Sequence, residues 1–281
     1  MTKSIVITGC STGFGRATAL RLAQKGWQVF ATVRREADAA NLSEEAAATG
    51  CDWRLAPTLC DITVASSVAE LARTLEERAP KLDALLNNAG TSFSGPLETI
   101  SLDDVRAQLE LNTIGHLVMI QTLLPLLKAG KGTIINVSSV GGRMTFPVNG
   151  AYHMSKYALE AMSDVLRVEL APFGVKVVIL EPGGSPTAIW ETSRNRARVR
   201  QVAERNEQYA PLISAMDRYA RISAQMGFPP ELFARVVEKI LASRRPAGRY
   251  AIPFSAGIII AARKWLPDWA WDWGTRRVLG W

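Results

Sequence analysis

The chain has 281 residues, of which 48% are hydrophobic, and a formal net charge of +7. A chain of this length can bury a sizeable core. The positive charge permits an anionic cofactor or an anionic membrane surface as partner. The sequence contains no zinc-finger spacing, basic-zipper pattern or RNA-binding aromatic motif, so we expect no nucleic acid partner.

The cysteines and the N-terminus indicate a compartment. Cys10, Cys51 and Cys60 are too few and too irregularly spaced for a disulfide framework or a zinc site. The chain runs from Met1 straight into a short apolar strand, which is not the pattern of a secretory signal. We therefore expect a cytoplasmic protein without a metal site.

Strands and helices alternate along the first two thirds of the chain. Short β-branched apolar runs predict strands at 4–8, 27–33, 54–60, 82–87, 133–138 and 175–180. Helical periodicity predicts helices at 13–25, 37–48, 64–78, 102–127 and 152–171, the fourth interrupted or ended near Pro125. This alternation implies right-handed βαβ units and helices on both faces of a parallel sheet. We predict one doubly wound α/β domain over residues 1–281.

The pattern changes after residue 183. Residues 187–228 are polar, Arg-rich and predicted to be helical, and we expect them to form a substrate-binding or lid segment. A helix at 231–243 and a short strand at 249–253 follow. The lid segment contains a run of alternating arginines, which form a solvated face or else clamp cofactor phosphates when the segment closes. They are Arg194, Arg196, Arg198 and Arg200.

Residues 254–281 form a C-terminal extension rich in tryptophan. Trp265, Trp269 and Trp273 would form one stripe on a single helix, although Pro267 favours a helix that begins there. The stripe could pack onto the body of the protein or over a pocket mouth. It could also lie on a membrane surface. Two further tryptophans and three basic residues of the extension suit that second reading: Trp271, Trp281, Lys264, Arg276 and Arg277.

A glycine-rich turn follows the first predicted strand. It reads T-G-C-S-T-G-F-G over residues 8–15, and a helix follows at once. Glycines allow the backbone to approach a pyrophosphate, and the helix N-terminus offers free N–H groups and a positive dipole end. The spacing is Gly-x-x-x-Gly-x-Gly, which differs from the commoner dinucleotide fingerprint. At the first βα junction, this turn predicts a nucleotide site.

A tyrosine and a lysine lie four residues apart in the predicted helix 152–171. Tyr152 and Lys156 share one face of that helix. A nearby cation favours the phenolate, which makes tyrosine a proton donor and acceptor nearer to neutral pH. Ser139 could hydrogen-bond the same substrate oxygen. The trio predicts proton transfer to or from an alcohol or carbonyl, although Tyr-x-x-x-Lys alone is also found on solvated helix faces.

The glycine spacing, Ser139, Tyr152 and Lys156 together resemble the classical short-chain dehydrogenase/reductase family. The likeness covers residues 5–187 strongly and the last third weakly. The glycine turn and the stretch 139–144 look most like the hydroxysteroid and retinol dehydrogenase branch. The resemblance implies a Rossmann-type fold and a homodimer or homotetramer. Further segments match the family in the expected order: Asp61, 87–90, Asn112 and 182–187.

The resemblance also implies roles for individual residues. Tyr152 would be the acid and base, and Ser139 would hold the substrate oxygen. Lys156 would bind the nicotinamide ribose and lower the pKa of Tyr152. Asn112 would anchor a water in a proton relay, or would only satisfy backbone groups in a kinked helix. Asn87 would be structural, joining neighbouring strands.

The implied cofactor contacts extend along the whole domain. Asp61 would contact the adenine, residues 88–90 would line the adenosine, and Thr187 would hold the nicotinamide carboxamide. The full set is Gly9, Ser11, Thr12, Gly13, Phe14, Gly15, Arg34, Asp61, Ile62, Asn88, Ala89, Gly90, Tyr152, Lys156, Pro182, Gly183 and Thr187.

The end of the second predicted strand favours NADP(H). An acidic residue there would bind the ribose 2′-hydroxyl of NAD and repel a 2′-phosphate. The chain instead has Arg34 and Arg35, with no carboxylate before Glu36. Arg34 is placed to hold the phosphate, although both arginines could simply form a solvated turn.

These observations predict an NADP(H)-dependent oxidoreductase. A hydride would pass between nicotinamide C4 and the carbon of a secondary alcohol or ketone. The apolar, aromatic-rich last third favours a small hydrophobic substrate. Two alternatives remain: a non-catalytic nucleotide-binding sensor or scaffold, and a lyase or epimerase of the same fold.

Overall fold

A computed structural model describes residues 2–185 and 207–281. The strands in these ranges form one sheet in the order β3-β2-β1-β4-β5-β6-β7, and every neighbouring pair is parallel. The predicted doubly wound parallel sheet is therefore confirmed. The strands are β1 (Ser4–Ile7), β2 (Gln28–Val33), β3 (Leu55–Leu59), β4 (Ala84–Asn87), β5 (Thr133–Val137), β6 (Lys176–Pro182) and β7 (Arg249–Ile252).

Helices connect the strands and follow them in the described ranges. They are α1 (Gly13–Gln24), α2 (Glu36–Ala48), α3 (Ala65–Arg78), α4 (Leu102–Leu109), α5 (Gly115–Gly130), α6 (Gly150–Glu169), α7 (Ala210–Gln225), α8 (Pro230–Ala242), α9 (Phe254–Trp265) and α10 (Asp268–Leu279). A π-helical turn, Glu110–Ile114, joins α4 to α5. Residues 186–206, which include the four alternating arginines and Thr187, lie outside the described residues.

The long helix between β4 and β5 is interrupted at a different place from the predicted one. The break near Pro125 is wrong, because α5 continues through Pro125 to Gly130. Pro125 and Gln121 are both exposed, so the hydrogen bond that proline cannot donate is lost on the solvent side. The interruption lies at the π-helical turn, where an extra residue in the turn displaces the backbone.

Both faces of the sheet are buried under helices. Ile5 and Ile7 of β1 belong to one core cluster with side chains of α1, α2 and α8. Val6, which points to the opposite face, belongs to the other cluster with side chains of α3 and α5. Successive strand residues face opposite sides, so continuous apolar strands of this kind need cover on both sides.

The C-terminal extension consists of two helices, not one. Trp265 ends α9, whereas Trp269 and Trp273 lie on α10, which begins after Pro267. The single stripe of three tryptophans is therefore wrong, and the alternative of a helix that begins at Pro267 is confirmed. The physical reason is the proline, which forces the preceding Leu266 into an extended conformation. Within the described part of the chain, no helix has both the length and the apolar character to cross a membrane.

The strand order creates a crevice at the carboxyl edge of the sheet. The chain moves outward from β1 through β2 to β3, and then returns to place β4 on the other side of β1. Loops that leave β1 and β4 therefore diverge, and ligands of doubly wound sheets bind at such a switch point.

Candidate active site

One cleft with a volume of ≈ 790 Å³ follows the carboxyl ends of the strands. Its volume lies within the range of small-molecule and cofactor sites. The predicted residues that line it are Gly9, Ser11, Thr12, Gly13, Phe14, Arg34, Asp61, Ile62, Asn88, Ala89, Gly90, Ser139, Tyr152, Lys156, Pro182 and Gly183. Gly15 and Asn112 are not among the lining residues, and Thr187 lies outside the described ranges.

The glycine turn after β1 is tightly packed and leaves the start of α1 facing the cleft. Gly9 has φ +71°, and a Cβ there would lie 2.8 Å from Cα of Ala89. A Cβ on Gly15 would lie 2.4 Å from the Gly9 carbonyl oxygen, so Gly15 serves packing. Thr12 caps α1 without a side-chain hydrogen bond. The first N–H groups of α1 could therefore bind an anion.

The loop after β4 braces this turn. The Asn88 side-chain amide donates to the carbonyls of Thr8 (2.8 Å) and Gly9 (3.1 Å). The Thr8 hydroxyl accepts from the backbone N–H of Asn88 and of Ala89. Asn87 donates to Asn136 at 2.9 Å and so ties β4 to β5, as predicted. The Asn88 side chain thus shapes the cleft from behind, and the backbone of this loop provides its surface.

Two arginines follow β2, and they differ in their partners. Arg35 forms a two-pronged pair with Asp38, at 2.8 and 2.9 Å. Arg34 makes no ion pair within residues 2–185 and 207–281, and it lies near Asp61. Burial raises the pKa of Asp61, whereas hydrogen bonds from Thr63 and the charge of Arg34 lower it. The lowering contacts together outweigh burial, so the pKa of Asp61 lies below its usual value.

Asp38 is a lining residue that the sequence reasoning missed. It faces the cleft from the first turn of α2. A signal was available, because an acidic residue in the first turn of a predicted helix is favourable and common. Glu36 is nearer to the strand in the sequence, but Asp38 is the carboxylate that lines the cleft. Asp38 neutralises Arg35 and leaves Arg34 as the arginine available to a ligand.

The predicted proton-transfer residues meet at the ends of β5 and α6. Ser139 lies just after β5, and Tyr152 and Lys156 lie on the first turns of α6. Tyr152 is hydrogen-bonded to Ser139. The Lys156 ammonium donates to the Val137 carbonyl at 2.8 Å and lies 5.8 Å from the Tyr152 ring centroid. Chain geometry therefore brings the trio together as the helical spacing predicts.

Burial controls the titration of this trio. It raises the pKa of Tyr152, and the hydrogen bond with Ser139 offsets part of that rise. The prediction that Lys156 lowers this pKa is thus opposite to the net direction, because desolvation of the phenolate outweighs the stabilising contacts. Burial also lowers the pKa of Lys156 to about 8, against the opposing charge of Glu160.

Asn112 lies in the π-helical turn, and its side chain is occupied. Its oxygen accepts from the Thr91 N–H at 3.0 Å. Its amide donates to the Thr91 carbonyl at 3.0 Å and to the Ser155 hydroxyl at 3.1 Å. These contacts favour the alternative in which Asn112 satisfies backbone groups at the helix interruption. Its role in a proton relay stays a prediction.

This arrangement can bind an extended anionic ligand and exchange a proton at one end of it. Anion-binding groups lie after β1 and β2, and the hydroxyl pair of Ser139 and Tyr152 lies after β5 and on α6. The two ends are joined by one cleft. Such a site suits a dinucleotide beside a hydroxyl or carbonyl group.

Comparison with known proteins agrees with this geometry. Residues 3–198 match the family model described as short chain dehydrogenase. Retinol dehydrogenase 5 of Mus musculus is 35% identical over 277 residues, covering 94% of this chain and 84% of that protein. An NADPH-dependent 3-dehydrocapnine reductase of Ornithobacterium rhinotracheale is 32% identical, covering 94% and 92%.

A solved structure has the same fold over nearly the same extent. The crystal structure of a short-chain dehydrogenase from Streptomyces avermitilis superposes with a TM-score of 0.76 at 28% identity, covering 94% of this chain and 92% of that one. The sequence resemblance, the parallel sheet and the residues at its carboxyl edge thus lead to one conclusion. The chain belongs to the short-chain dehydrogenase/reductase family, with relatives that include retinol dehydrogenases.

Proposed function

We propose that the protein is an NADP(H)-dependent oxidoreductase that interconverts a hydrophobic secondary alcohol and its ketone. The observation that carries this proposal is the hydrogen-bonded pair of Ser139 and Tyr152 beside Lys156, at one end of a cleft that begins with an anion-binding glycine turn. A sensor or scaffold needs no group for proton transfer, so the presence of all three side chains supports the enzyme over that alternative.

The proposed chemistry divides between the cofactor and three side chains. When bound, the nicotinamide would supply or accept a hydride at its C4 atom. Ser139 holds the substrate oxygen by a hydrogen bond. Tyr152 donates a proton to that oxygen in reduction and accepts one in oxidation. Lys156 would hold the ribose hydroxyls of a bound cofactor, and its ammonium would favour the phenolate that oxidation requires.

The residues present fit a phosphorylated dinucleotide. Gly9 lines the cleft, and its positive φ and close approach to Ala89 leave no room for a side chain in this turn. Arg34 lines the cleft with a guanidinium that has no ion-pair partner in the described ranges, and it would hold the 2′-phosphate of a bound NADP(H). One relative is named as NADPH-dependent. Together these support NADP(H) over NAD(H).

Aromatic side chains near the catalytic end support a hydrophobic substrate. Phe93 is buried and lines the cleft. Phe146, in the loop between Ser139 and Tyr152, packs against Tyr219 and Trp271, with ring centroids 5.6 Å apart in each case. An apolar alcohol or ketone would gain contact area on such a wall.

A screen of alcohols and ketones with NADP and NADPH tests the function. The expected result is a substrate-dependent change in NADPH absorbance, and a loss of about 10²–10⁴-fold in kcat for Tyr152→Phe, because the phenol is the proton donor and acceptor. Tyr157→Phe is the matched control, since Tyr157 lies on the same helix and is exposed. Near-full turnover by Tyr152→Phe contradicts the mechanism. A lyase, an epimerase or a sensor would give no net NADPH change.

We also propose an organisation for the whole chain. It forms a single domain over residues 1–281, with 187–228 as the substrate segment and 254–281 as an extension. A homodimer or homotetramer is supported by apolar side chains exposed on the long helix α6. These are Met154, Tyr157, Val165 and Val168.

We propose a cytoplasmic location with contact to a membrane surface, and two features support it. Three free, buried cysteines support the cytoplasm. Exposed tryptophans on α9 and α10 beside basic residues support peripheral contact with a membrane.

A further inference from the structure

His153, the residue after Tyr152, is buried and hydrogen-bonded through both ring nitrogens. Nδ1 lies 2.8 Å from the Gly141 carbonyl, and Nε2 lies 3.0 Å from the Phe146 backbone nitrogen. A carbonyl can only accept and a backbone N–H can only donate. Nδ1 must therefore carry the proton, and Nε2 must be free to accept. Burial lowers the pKa of His153, which favours this neutral form.

Gly141 connects the His153 ring to the catalytic serine. The Gly141 N–H donates to the Ser139 hydroxyl oxygen at 3.0 Å, while its carbonyl accepts from His153. A Cβ on Gly141 would lie only 2.9 Å from Nδ1 of His153. The short turn after β5 thus rests directly on the ring. The Gly141 N–H and the Gly141 carbonyl belong to two successive peptide groups that share the Gly141 Cα, so a shift of that Cα would move both the ring contact and one hydrogen-bond partner of Ser139.

The Nε2 atom of His153 holds the backbone of Phe146, and the rings of Phe146, Tyr219 and Trp271 form an aromatic wall. Nε2 accepts from the N–H of Phe146, whose ring packs against Tyr219 of α7 and Trp271 of α10. His153 therefore fastens both ends of the segment 141–146 to the catalytic helix. One end carries a hydrogen-bond partner of Ser139, and the other end carries Phe146, whose ring also lies 6.2 Å from the His153 ring.

We propose that His153 is a positioning residue with two separable effects. Through Gly141 it orients the Ser139 hydroxyl towards the substrate oxygen, and through Phe146 it fixes the wall against which a hydrophobic substrate binds. The inference rests on the proposed oxidoreductase function. Loss of the Nδ1 contact lowers kcat, because Ser139 loses its orientation. Loss of the Nε2 contact raises KM, because the wall becomes mobile.

Three substitutions separate the two contacts. In His153→Asn, an amide nitrogen at the δ position can still donate to Gly141, but nothing reaches Phe146. In His153→Gln, an amide oxygen at the ε position can still accept from Phe146. His153→Leu retains neither contact. We expect His153→Leu to lower kcat roughly tenfold and to raise KM roughly tenfold. We expect His153→Asn to keep the kcat of the wild type and His153→Gln to keep its KM.

The test includes measurements that do not depend on turnover. Thermal unfolding and NADPH binding of each variant show whether it folds. Amide hydrogen exchange should show that the Gly141 N–H loses protection in His153→Leu but keeps it in His153→Asn. The Phe146 N–H should lose protection in His153→Leu and His153→Asn but keep it in His153→Gln. If His153→Asn, His153→Gln and His153→Leu show the same fall in kcat, the same rise in KM and the same loss of amide protection, the inference is wrong.

The same design distinguishes this inference from the proposed function. A wild-type protein that turns over no alcohol or ketone contradicts the function, yet hydrogen exchange still decides whether His153 holds Gly141 and Phe146. If the wild type is active but His153→Asn and His153→Leu have the same kcat, the inference is contradicted and the proposed function is not.

Discussion

Burial of single side chains sets the protonation state of the site. Burial lowers the pKa of Lys156 to about 8 and raises the pKa of Tyr152. At neutral pH, Lys156 is therefore mostly charged and Tyr152 is a neutral acid. This is the state from which Tyr152 can donate a proton to a carbonyl oxygen, so the described geometry is ready for reduction. Oxidation needs the phenolate, which the neighbouring ammonium must stabilise.

Cofactor preference is expected to depend on Arg34 and not on Arg35. Arg34→Asp should shift the ratio of kcat/KM from NADPH towards NADH, because a carboxylate repels a 2′-phosphate and binds a 2′-hydroxyl. Arg34→Gln should lower kcat/KM for NADPH roughly tenfold or more, since a charge-assisted contact is lost. The measurement is kcat/KM with both cofactors.

Arg35→Gln is the matched control for this prediction. Arg35 is engaged by Asp38, so its removal should change the NADPH preference much less than Arg34→Gln. Equal effects of the two glutamine variants, or a clear NADH preference of the wild type, would contradict the role of Arg34.

Residues with a fixed spacing in the chain could be predicted, whereas those defined by packing could not. Tyr152, Lys156 and Ser139 follow from the helical period and the end of a strand. The Asp38–Arg35 pair and the two hydrogen bonds of His153 depend on how separate segments meet in space. The direction of the Tyr152 pKa is likewise a matter of burial, and a sequence pattern does not report the depth at which a side chain lies.

At the scale of secondary-structure elements, the strands were the more predictable part. Each predicted strand has its counterpart within the described ranges, because a buried parallel strand is a short run of apolar residues between turns. The interruption between α4 and α5 was placed wrongly. Proline is visible in a sequence, but the π-helical turn around Asn112 is stabilised by contacts with Thr91 and Ser155, which lie on other segments.

An ion network joins α6 to the last two strands. Arg249 of β7 contacts Glu160 of α6 at 3.1 Å and Glu181 of β6 at 3.4 Å. Arg143 contacts the same two carboxylates at 3.8 and 3.4 Å. Burial and the charge of Glu160 raise the pKa of Glu181. Two buried carboxylates therefore depend on two partly buried arginines, next to the helix that carries Lys156.

Arg249→Met is expected to destabilise the fold by roughly 3 kcal/mol, because it leaves buried carboxylates with incomplete compensation. Glu181→Gln in that background should recover part of the loss by removing one of the charges. Chemical denaturation measures both changes. Arg106→Met is the control, since Arg106 pairs with Asp103 on the exposed surface and such pairs contribute little. A double variant no more stable than Arg249→Met would contradict the explanation.

At the scale of the whole molecule, the sheet and the extension present different surfaces. The helices α1, α2, α3, α5, α6 and α8 cover the sheet and contribute buried side chains. By contrast, α10 has no buried residue, and Trp265, Trp269 and Trp273 are 89%, 74% and 64% exposed. Trp271 turns inward and contacts Phe146. The extension thus has one tryptophan against the loop between β5 and α6 and three directed to its surroundings.

We propose a membrane surface as the partner of the three exposed tryptophans, since indole rings favour the interfacial region and basic side chains attract anionic headgroups. We expect the wild type to co-sediment with vesicles that contain anionic lipid, and less with zwitterionic vesicles. The triple variant of Trp265, Trp269 and Trp273 to Ser should lose most of this binding. Trp53→Ser is the control, because Trp53 is equally exposed but lies before β3. If the wild type stays in the supernatant, or if Trp53→Ser binds as weakly as the triple variant, the exposed tryptophans serve another contact, such as a second copy of the chain.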